Sequence, residues 1–429
     1  MVPQLHAISW NITRRCNLRC AHCYLDADFL EGRRVDEKST EDCFRIVDQI
    51  RDANPNPFLI LTGGEPLLRP DVFDIAAYAS DRGAYVVVGT NGIALTEKSI
   101  GRLKRAGVKG AGVSLDSTDS RVHDAFRGVM GAWDLTMSGI RRLAAGGMPF
   151  AVQMTVTETN AGEIETMADL AHSAGATALN VYFLVCTGRG QEMTDLSPEA
   201  YERILTRLYD LYERYEGRML VTAKCAPHFR RFVYDRNPSS PLMKTYQGGC
   251  PAGTHYARIT PSGDVTPCPY MADPVGNLKE FSFVDLWRNA PAFVRLRDPI
   301  LRDRCGICEF RTVCGGCRAR ALSKTGDMLG TDPWCTYAPG KRKMEEVVLS
   351  RETALGQPVA FSISWTPEAR ERLERIPSFA RGMVVASVER YAAERAVPVV
   401  TPELMAEAKE RLIGDGRGVP AFLKAGRPS

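Results

Sequence analysis

Cys16-Asn-Leu-Arg-Cys20-Ala-His-Cys23-Tyr24 is the stretch on which the reading of the whole chain turns. Its three cysteines are separated by three and then two residues, and they follow an apolar run at 7–12. One short loop of this kind turns three thiolates toward a single point. Iron–sulfur clusters are normally held by four cysteine thiolates. A trio leaves one iron open to a small molecule that brings its own donor atoms. Zinc also accepts cysteines at such spacing, but it needs a fourth ligand, and His22 lies inside the loop, a poor position for one.

The composition narrows the setting. A chain of 429 residues has room for two or three domains. Hydrophobic content of 44% and charged content of 25% are ordinary for a soluble globular protein. Lys and Arg total 55 against 51 Asp and Glu, the formal charge is only +4, and the basic residues are scattered, so nothing favours nucleic acid. Residues 1–11 lack a basic region followed by an apolar core, so no secretory signal is read. No apolar run approaches the roughly 20 residues that span a bilayer. Thirteen cysteines in a reducing, cytoplasmic setting read as metal ligands rather than disulfides.

From residue 7 to about 215, β-rich runs at 7–12, 58–62, 85–90, 110–115, 150–156 and 179–185 alternate with helical patterns. Cys43, Ile46, Val47 and Ile50 recur at helical spacing, as do Ile164, Met167, Ala168 and Ala171. This predicts an α/β fold of six βα units around a parallel sheet. Ligands of such sheets gather at the carboxyl ends of the strands, and polar tips stand there: Gly63-Gly64-Glu65-Pro66, Gly89-Thr90-Asn91-Gly92 and Ser114-Leu-Asp116. Gly63 and Gly64 permit close backbone approach to a ligand, and Glu65 offers a carboxylate to a cation.

The C-x₃-C-x₂-C loop followed by an aromatic resembles the signature of the radical S-adenosylmethionine (SAM) superfamily. The resemblance implies an open, partial (β/α)6 barrel and a SAM-binding 4Fe–4S cluster on Cys16, Cys20 and Cys23. Reductive cleavage of SAM would then yield methionine and a 5′-deoxyadenosyl radical that abstracts hydrogen from an unactivated carbon. It also implies that Gly63, Gly64, Glu65 and Pro66 bind the methionyl amino group. Thr90, Asn91, Ser114 and Asp116 become partners of the methionyl and ribose parts, and Arg127 of the SAM carboxylate. Gln153 on the fifth strand, like Thr155, alternates with apolar neighbours and points inward. Cys43 reads as core packing. Cys186, after the sixth strand, is either a hydrogen donor or substrate contact, or a buried thiol.

A second array follows: Cys250, Gly263, Cys268, then Cys305-x₂-Cys308-x₅-Cys314-x₂-Cys317, and Cys335. It resembles the SPASM domain, which carries auxiliary 4Fe–4S clusters, although the last tight gap is two residues where three is usual. The resemblance implies one cluster on Cys305, Cys308, Cys314 and Cys335 and another on Cys250, Cys268 and Cys317, three clusters in all. The short gap puts the role of Cys317 in question. For the fourth position of the second cluster, His255, Cys225 and an open iron all remain available. Zinc ribbons are the alternative.

The organisation read from the sequence is a barrel at 1–230, a cysteine-rich domain at 231–343, a linker at 344–360, a helical module at 361–415 and a loose tail at 416–429. Thr366-Pro367-Glu368 and Thr401-Pro402-Glu403 repeat one helix-start signal. Phe379, Met383, Val384, Val388 and Tyr391 follow at helical spacing, then Leu404, Ala408 and Leu412. This three-helix module resembles the small C-terminal domain of light-independent protochlorophyllide reductase.

The segments Phe183-Leu-Val-Cys186-Thr-Gly-Arg-Gly and Gly326-Asp-Met-Leu-Gly-Thr-Asp-Pro-Trp-Cys335 resemble the tetrapyrrole-modifying, haem-biosynthesis branch of the superfamily, although Cys186 stands where that branch suggests proline. The substrate implied is an iron porphyrinoid whose side chains are removed or oxidatively decarboxylated. Arg189 is a candidate partner for a propionate. The expected electron donor is a reduced flavodoxin or ferredoxin. The alternative is a maturase of a ribosomally made peptide; many of these carry an N-terminal recognition domain, whereas few residues precede the first strand here. A cluster carrier is a third reading, in which the glycine-rich tips would be idle.

Overall fold

The computed structural model describes residues 5–29, 37–193, 196–244, 249–343, 347, 361–376 and 378–414. All of the expected linker at 344–360 except Val347, and the expected tail at 416–429, lie outside the described residues.

Seven parallel strands run in sequence order: β1 Ala7–Asn11, β2 Phe58–Thr62, β3 Tyr85–Thr90, β4 Ala111–Ser114, β5 Phe150–Val156, β6 Ala178–Phe183 and β7 Leu220–Lys224. An eighth, β8 Tyr256–Ile259, pairs parallel with the other edge of β1, Ala7 opposite Tyr256 and Ser9 opposite Arg258. The antiparallel β9 Asp264–Thr266 and β10 Gly276–Asn277 extend that edge. The six expected strands are all present, and two parallel strands are added. β7 is five residues long and reads Leu-Val-Thr-Ala-Lys, too short and too polar to announce itself. β8 comes from the cysteine-rich segment, so one sheet crosses the boundary expected near residue 230.

Alternation along the strands assigns the two faces. Ile8 and Trp10 of β1 enter the helix-covered core with Leu59, Leu61, Val86 and Val88, while Ser9 and Asn11 bond to residues of the inner face. The helix Thr40–Ala53 buries Cys43, Ile46, Val47 and Ile50 on this core and starts with a capping box between Ser39 and Asp42. Cys43 is core packing, as its spacing predicts.

The C-terminal helices Pro367–Glu374, Ser378–Glu394 and Pro402–Gly414 close around a core of their own, with Trp365, Leu373, Val385, Val388, Val400 and Leu404 buried. Thr366 caps the first of them by accepting from Ala369 N, and Thr401 accepts from Leu404 N. The side chains of Phe379, Met383 and Leu412 lie outside what is described. Among the described residues no helix is long and apolar enough to cross a membrane.

Candidate functional site: a cysteine loop, a lumen and two further thiol groups

The 16–24 loop is clamped between the strand tips. Arg19 N and Ala21 N donate to the carbonyls of Arg127 and Phe126 at 3.0 Å each. The loop thereby satisfies carbonyls that the helix Ser120–Arg127 leaves open at its end. Gly63 and Gly64 serve the same clamp. Gly64 N bonds Thr13 O at 2.9 Å and Glu65 N bonds Arg15 O at 2.8 Å. A Cβ on Gly63 would stand 2.4 Å from Thr13 O, and one on Gly64 2.4 Å from Arg15 O. The glycines thus allow backbone to lie on the backbone that leads into the loop. Asn91 Nδ2 donates to Asn17 Oδ1 at 2.7 Å. From the far side, Arg189 donates through Nε to Cys20 O and through Nη1 to Ala27 O, both at 3.1 Å. Sequence reasoning offered this arginine to a substrate propionate; in the structure it braces the loop.

Cys16, Cys20 and Cys23 share one small buried cluster with Leu18, Ala27 and Ala132. Cys16 Sγ accepts from Leu18 N at 3.4 Å, and Cys20 Sγ accepts from Arg127 Nη1 at 3.5 Å. Burial, reinforced by the other two cysteines, pushes the Cys16 thiol up to about 12. Two of the three sulfurs thus already accept hydrogen bonds of the kind that cluster thiolates take, and an iron–sulfur cluster fits the trio. His22 is stacked on Phe126 at 4.3 Å, interplanar angle 10°, and burial holds it neutral.

The other expected SAM contacts divide into two sets. Glu65 is fully buried; Thr90 Oγ1 donates to both its oxygens at 2.9 Å, Asn91 N to one at 2.8 Å and Leu67 N to one at 3.1 Å. Burial raises its carboxyl to about 7 against those donors. It ties the second strand tip to the third. Pro66 opens the short turn that follows. Asp116 is buried too, pairs with Arg127 at 2.5 Å and accepts from Thr155 N at 2.8 Å. Arg127 is therefore shared between Asp116 and Cys20. Ser114 and Gln153 are half-buried neighbours in register on β4 and β5, and Gln153 lies over Gly112, where a Cβ would come within 2.4 Å of its Nε2. Cys186 is buried after β6, its sulfur 4.0 Å from Met193 O.

The inner face of the sheet, the lumen of the partial barrel, carries aromatic and cationic groups of which the motifs flagged only Tyr24. Tyr24 follows the last cysteine of the loop; its hydroxyl accepts from Asn11 Nδ2 at 3.0 Å, and its ring lies 5.4 Å from that of Tyr270. Tyr256 donates to Ser9 Oγ at 2.5 Å, and Arg258 Nε donates to Asn11 Oδ1 at 2.5 Å while its guanidinium stands 5.4 Å from the Tyr24 ring. Tyr182 and Lys224 are register partners on β6 and β7. Burial depresses the Lys224 ammonium, with Cys225 opposing. These residues are spread over four strands and two loops, so only tertiary structure reveals the set.

The second cysteine array resolves into two groups. Cys305, Cys308, Cys314 and Cys335 line one cavity, together with Arg231, His228 and Tyr337. Cys317 is not among its walls; it packs in another cluster with Val185, Met271, Cys225 and Cys268. Cys250 joins this second group beside Cys317, and the interaction of the two thiols holds Cys250 below and Cys317 above the usual thiol range. All thirteen cysteines are free of disulfides. Among the described residues no group of three or more His, Cys, Asp or Glu side chains is arranged to hold one metal ion. Four thiolates on one zinc crowd together, with Zn–S bonds of about 2.3 Å; thiols around a cavity suit a polynuclear group.

Comparison with known proteins agrees with this architecture. Residues 10–171 match the profile of the radical SAM superfamily, residues 250–317 that of an iron-sulfur cluster-binding domain, and residues 365–409 that of the proto-chlorophyllide reductase 57 kD subunit. The chain is similar to an AdoMet-dependent heme synthase of Methanosarcina barkeri, 40% identical over 344 residues, covering 78% of this chain and 97% of that protein. It is also similar to the mycofactocin maturase MftC of Mycobacterium tuberculosis, 30% identical over 361 residues, covering 82% and 87%. Among solved structures, Streptococcus suis SuiB bound to S-adenosylmethionine shares the fold, with a TM-score of 0.64, 18% identity and 78% of each chain covered.

Proposed function

The chain belongs to the radical SAM superfamily, among its haem-biosynthesis enzymes with an iron–sulfur cluster-binding domain, and from that premise we propose that it oxidatively decarboxylates propionate side chains of an iron porphyrinoid. The observation that carries the reading is 40% identity across 97% of an AdoMet-dependent heme synthase, against 30% to a mycofactocin maturase. Cys16, Cys20 and Cys23 would hold the cluster through which an electron reaches SAM, giving methionine and the 5′-deoxyadenosyl radical that takes hydrogen from substrate. A flavodoxin- or ferredoxin-type donor in the cytoplasm would supply that electron.

The chain's own residues do the positioning. Tyr24 joins the cysteine loop directly to the lumen, so a substrate held there lies beside the first site. Tyr24, Tyr182, Tyr256 and Tyr270 offer rings to a flat macrocycle, and Lys224 and Arg258 offer cations to its carboxylates. An iron porphyrin with propionates satisfies both sets, and so we favour it over a peptide. Anaerobic turnover with SAM and such a porphyrin should yield a product lighter by one carbon dioxide and two hydrogens for each side chain converted. Lys224→Met should weaken porphyrin binding about ten- to a hundredfold, the worth of one charged hydrogen bond, while uncoupled SAM cleavage persists. Turnover of a peptide with no porphyrin bound would overturn the assignment.

We also propose three 4Fe–4S clusters: one on the 16–23 loop, one in the cavity of Cys305, Cys308, Cys314 and Cys335, and one on the group of Cys250, Cys268 and Cys317. Anaerobic reconstitution should give about 12 irons per chain. A count near eight would leave a single auxiliary cluster.

A further inference from the structure

We propose that Cys225 is the fourth protein ligand of the cluster held by Cys250, Cys268 and Cys317. The inference rests on the reading that this thiol group holds a cluster at all, and it makes that cluster fully protein-ligated.

Cys225 directly follows β7, at the carboxyl end of the sheet, outside the cysteine-rich array. Its side chain packs with Cys268 on the buried cluster formed by Cys317, Val185 and Met271. Its backbone is left-handed, with φ of 57°, a conformation a cysteine adopts only when its surroundings impose it. Those surroundings are two hydrogen bonds to its carbonyl, from Arg320 Nη2 at 3.1 Å and Tyr201 OH at 3.4 Å. The same Arg320 is fully buried and pairs with Asp332 at 3.1 Å, and Asp332 Oδ2 accepts from Cys317 N at 2.7 Å. One rigid hub therefore sets the backbones of both Cys225 and Cys317.

His255, the other side chain near enough in sequence, lies beside His6, just before β1. It precedes β8, its carbonyl accepts from His6 N and Ala7 N, and its ring lies 5.5 Å from that of His6. With four thiolates on the cluster, no iron remains for substrate. The group then passes electrons, and substrate recognition falls to the lumen side chains.

The test uses the full-length chain, reconstituted anaerobically, carrying Cys16→Ala, Cys20→Ala and Cys23→Ala so that only the auxiliary clusters are read. Mild ferricyanide oxidation strips iron from a 4Fe–4S cluster in which one iron lacks a protein ligand and leaves a paramagnetic 3Fe–4S form. The background protein should show little of that signal. Cys225→Ala should raise it toward about one spin per chain, and Cys225→Ser should restore resistance in part. Cys225→Gly, which suits the left-handed backbone, guards against misfolding and should behave as alanine does. An unchanged signal in both the alanine and glycine variants overturns the proposal, as does a full signal in the background protein. About four irons per chain in the background removes the two-cluster reading and this proposal with it, whereas about eight irons with an indifferent Cys225 removes only this proposal.

Discussion

Replacing Cys16, Cys20 and Cys23 together by alanine is expected to take SAM cleavage down to the uncatalysed background and to remove about four irons per chain. No side chain substitutes for the lost group, because one-electron cleavage of a carbon–sulfur bond is cofactor chemistry. The fold should survive. The loop is held by Arg19 N and Ala21 N on the helix-end carbonyls, by Glu65 N on Arg15 O, and by Arg189 on Cys20 O and Ala27 O, all backbone contacts that alanine retains. The sulfurs themselves contribute only a small cluster with Leu18 and Ala132. The auxiliary cysteines are untouched, so the remaining iron should stay bound, and the far-ultraviolet circular dichroism should match the parent. SAM cleavage surviving at more than a trace would place the chemistry elsewhere in the chain.

The cysteine loop and the polar strand tips were legible because each is local: spacing within nine residues, or a polar run at the end of an apolar one. What those tips do was less legible. Glu65 reads as an open carboxylate, yet it is spent on Thr90, Asn91 and Leu67, because a buried carboxylate must find donors and the neighbouring strand tip supplies them. Gly63 and Gly64 read as room for a ligand, and their second task, making room for residues 13–15, shows only in the structure. β7 was invisible to pattern, with Thr222 and Lys224 on its inner face where a half-buried strand normally shows alternation against solvent. The lumen set, the Arg189 brace and the Cys225 neighbourhood join residues up to about two hundred and fifty positions apart, and no spacing rule reaches that far. The division of the second array is the instructive case. Cys314 and Cys317 are three apart, yet they face different groups because Gly315 and Gly316, with φ of 61° and 72°, turn the chain between them.

Arg127→Leu is expected to be the most destabilising single substitution near the first site, at about 3–5 kcal/mol, the usual cost of stranding one partner of a buried ion pair. Asp116, 1% exposed, would keep its bond from Thr155 N and lose the one counter-ion it has among the described residues. Burial already pushes the Asp116 carboxyl up, with Arg127 opposing. Without the guanidinium that opposition is gone and the carboxyl rises further in the folded state. The sign follows: an acid whose folded value lies above its unfolded value stabilises the fold at low pH, and that contribution is lost as pH rises through the folded value. The single variant should therefore recover stability on acidification from pH 7 to 5 relative to the parent, as read by urea unfolding. Adding Asp116→Asn keeps the acceptor for Thr155 N and removes the stranded charge, so the double variant should regain most of the loss and the pH dependence should vanish. Arg127 also donates to Cys20 Sγ; hydrogen bonds to cluster sulfurs raise reduction potentials, so the SAM cluster of the double variant should be harder to reduce than that of the parent. A double variant no more stable than Arg127→Leu alone would mean that Arg127 matters through its contact with the cysteine loop rather than through Asp116.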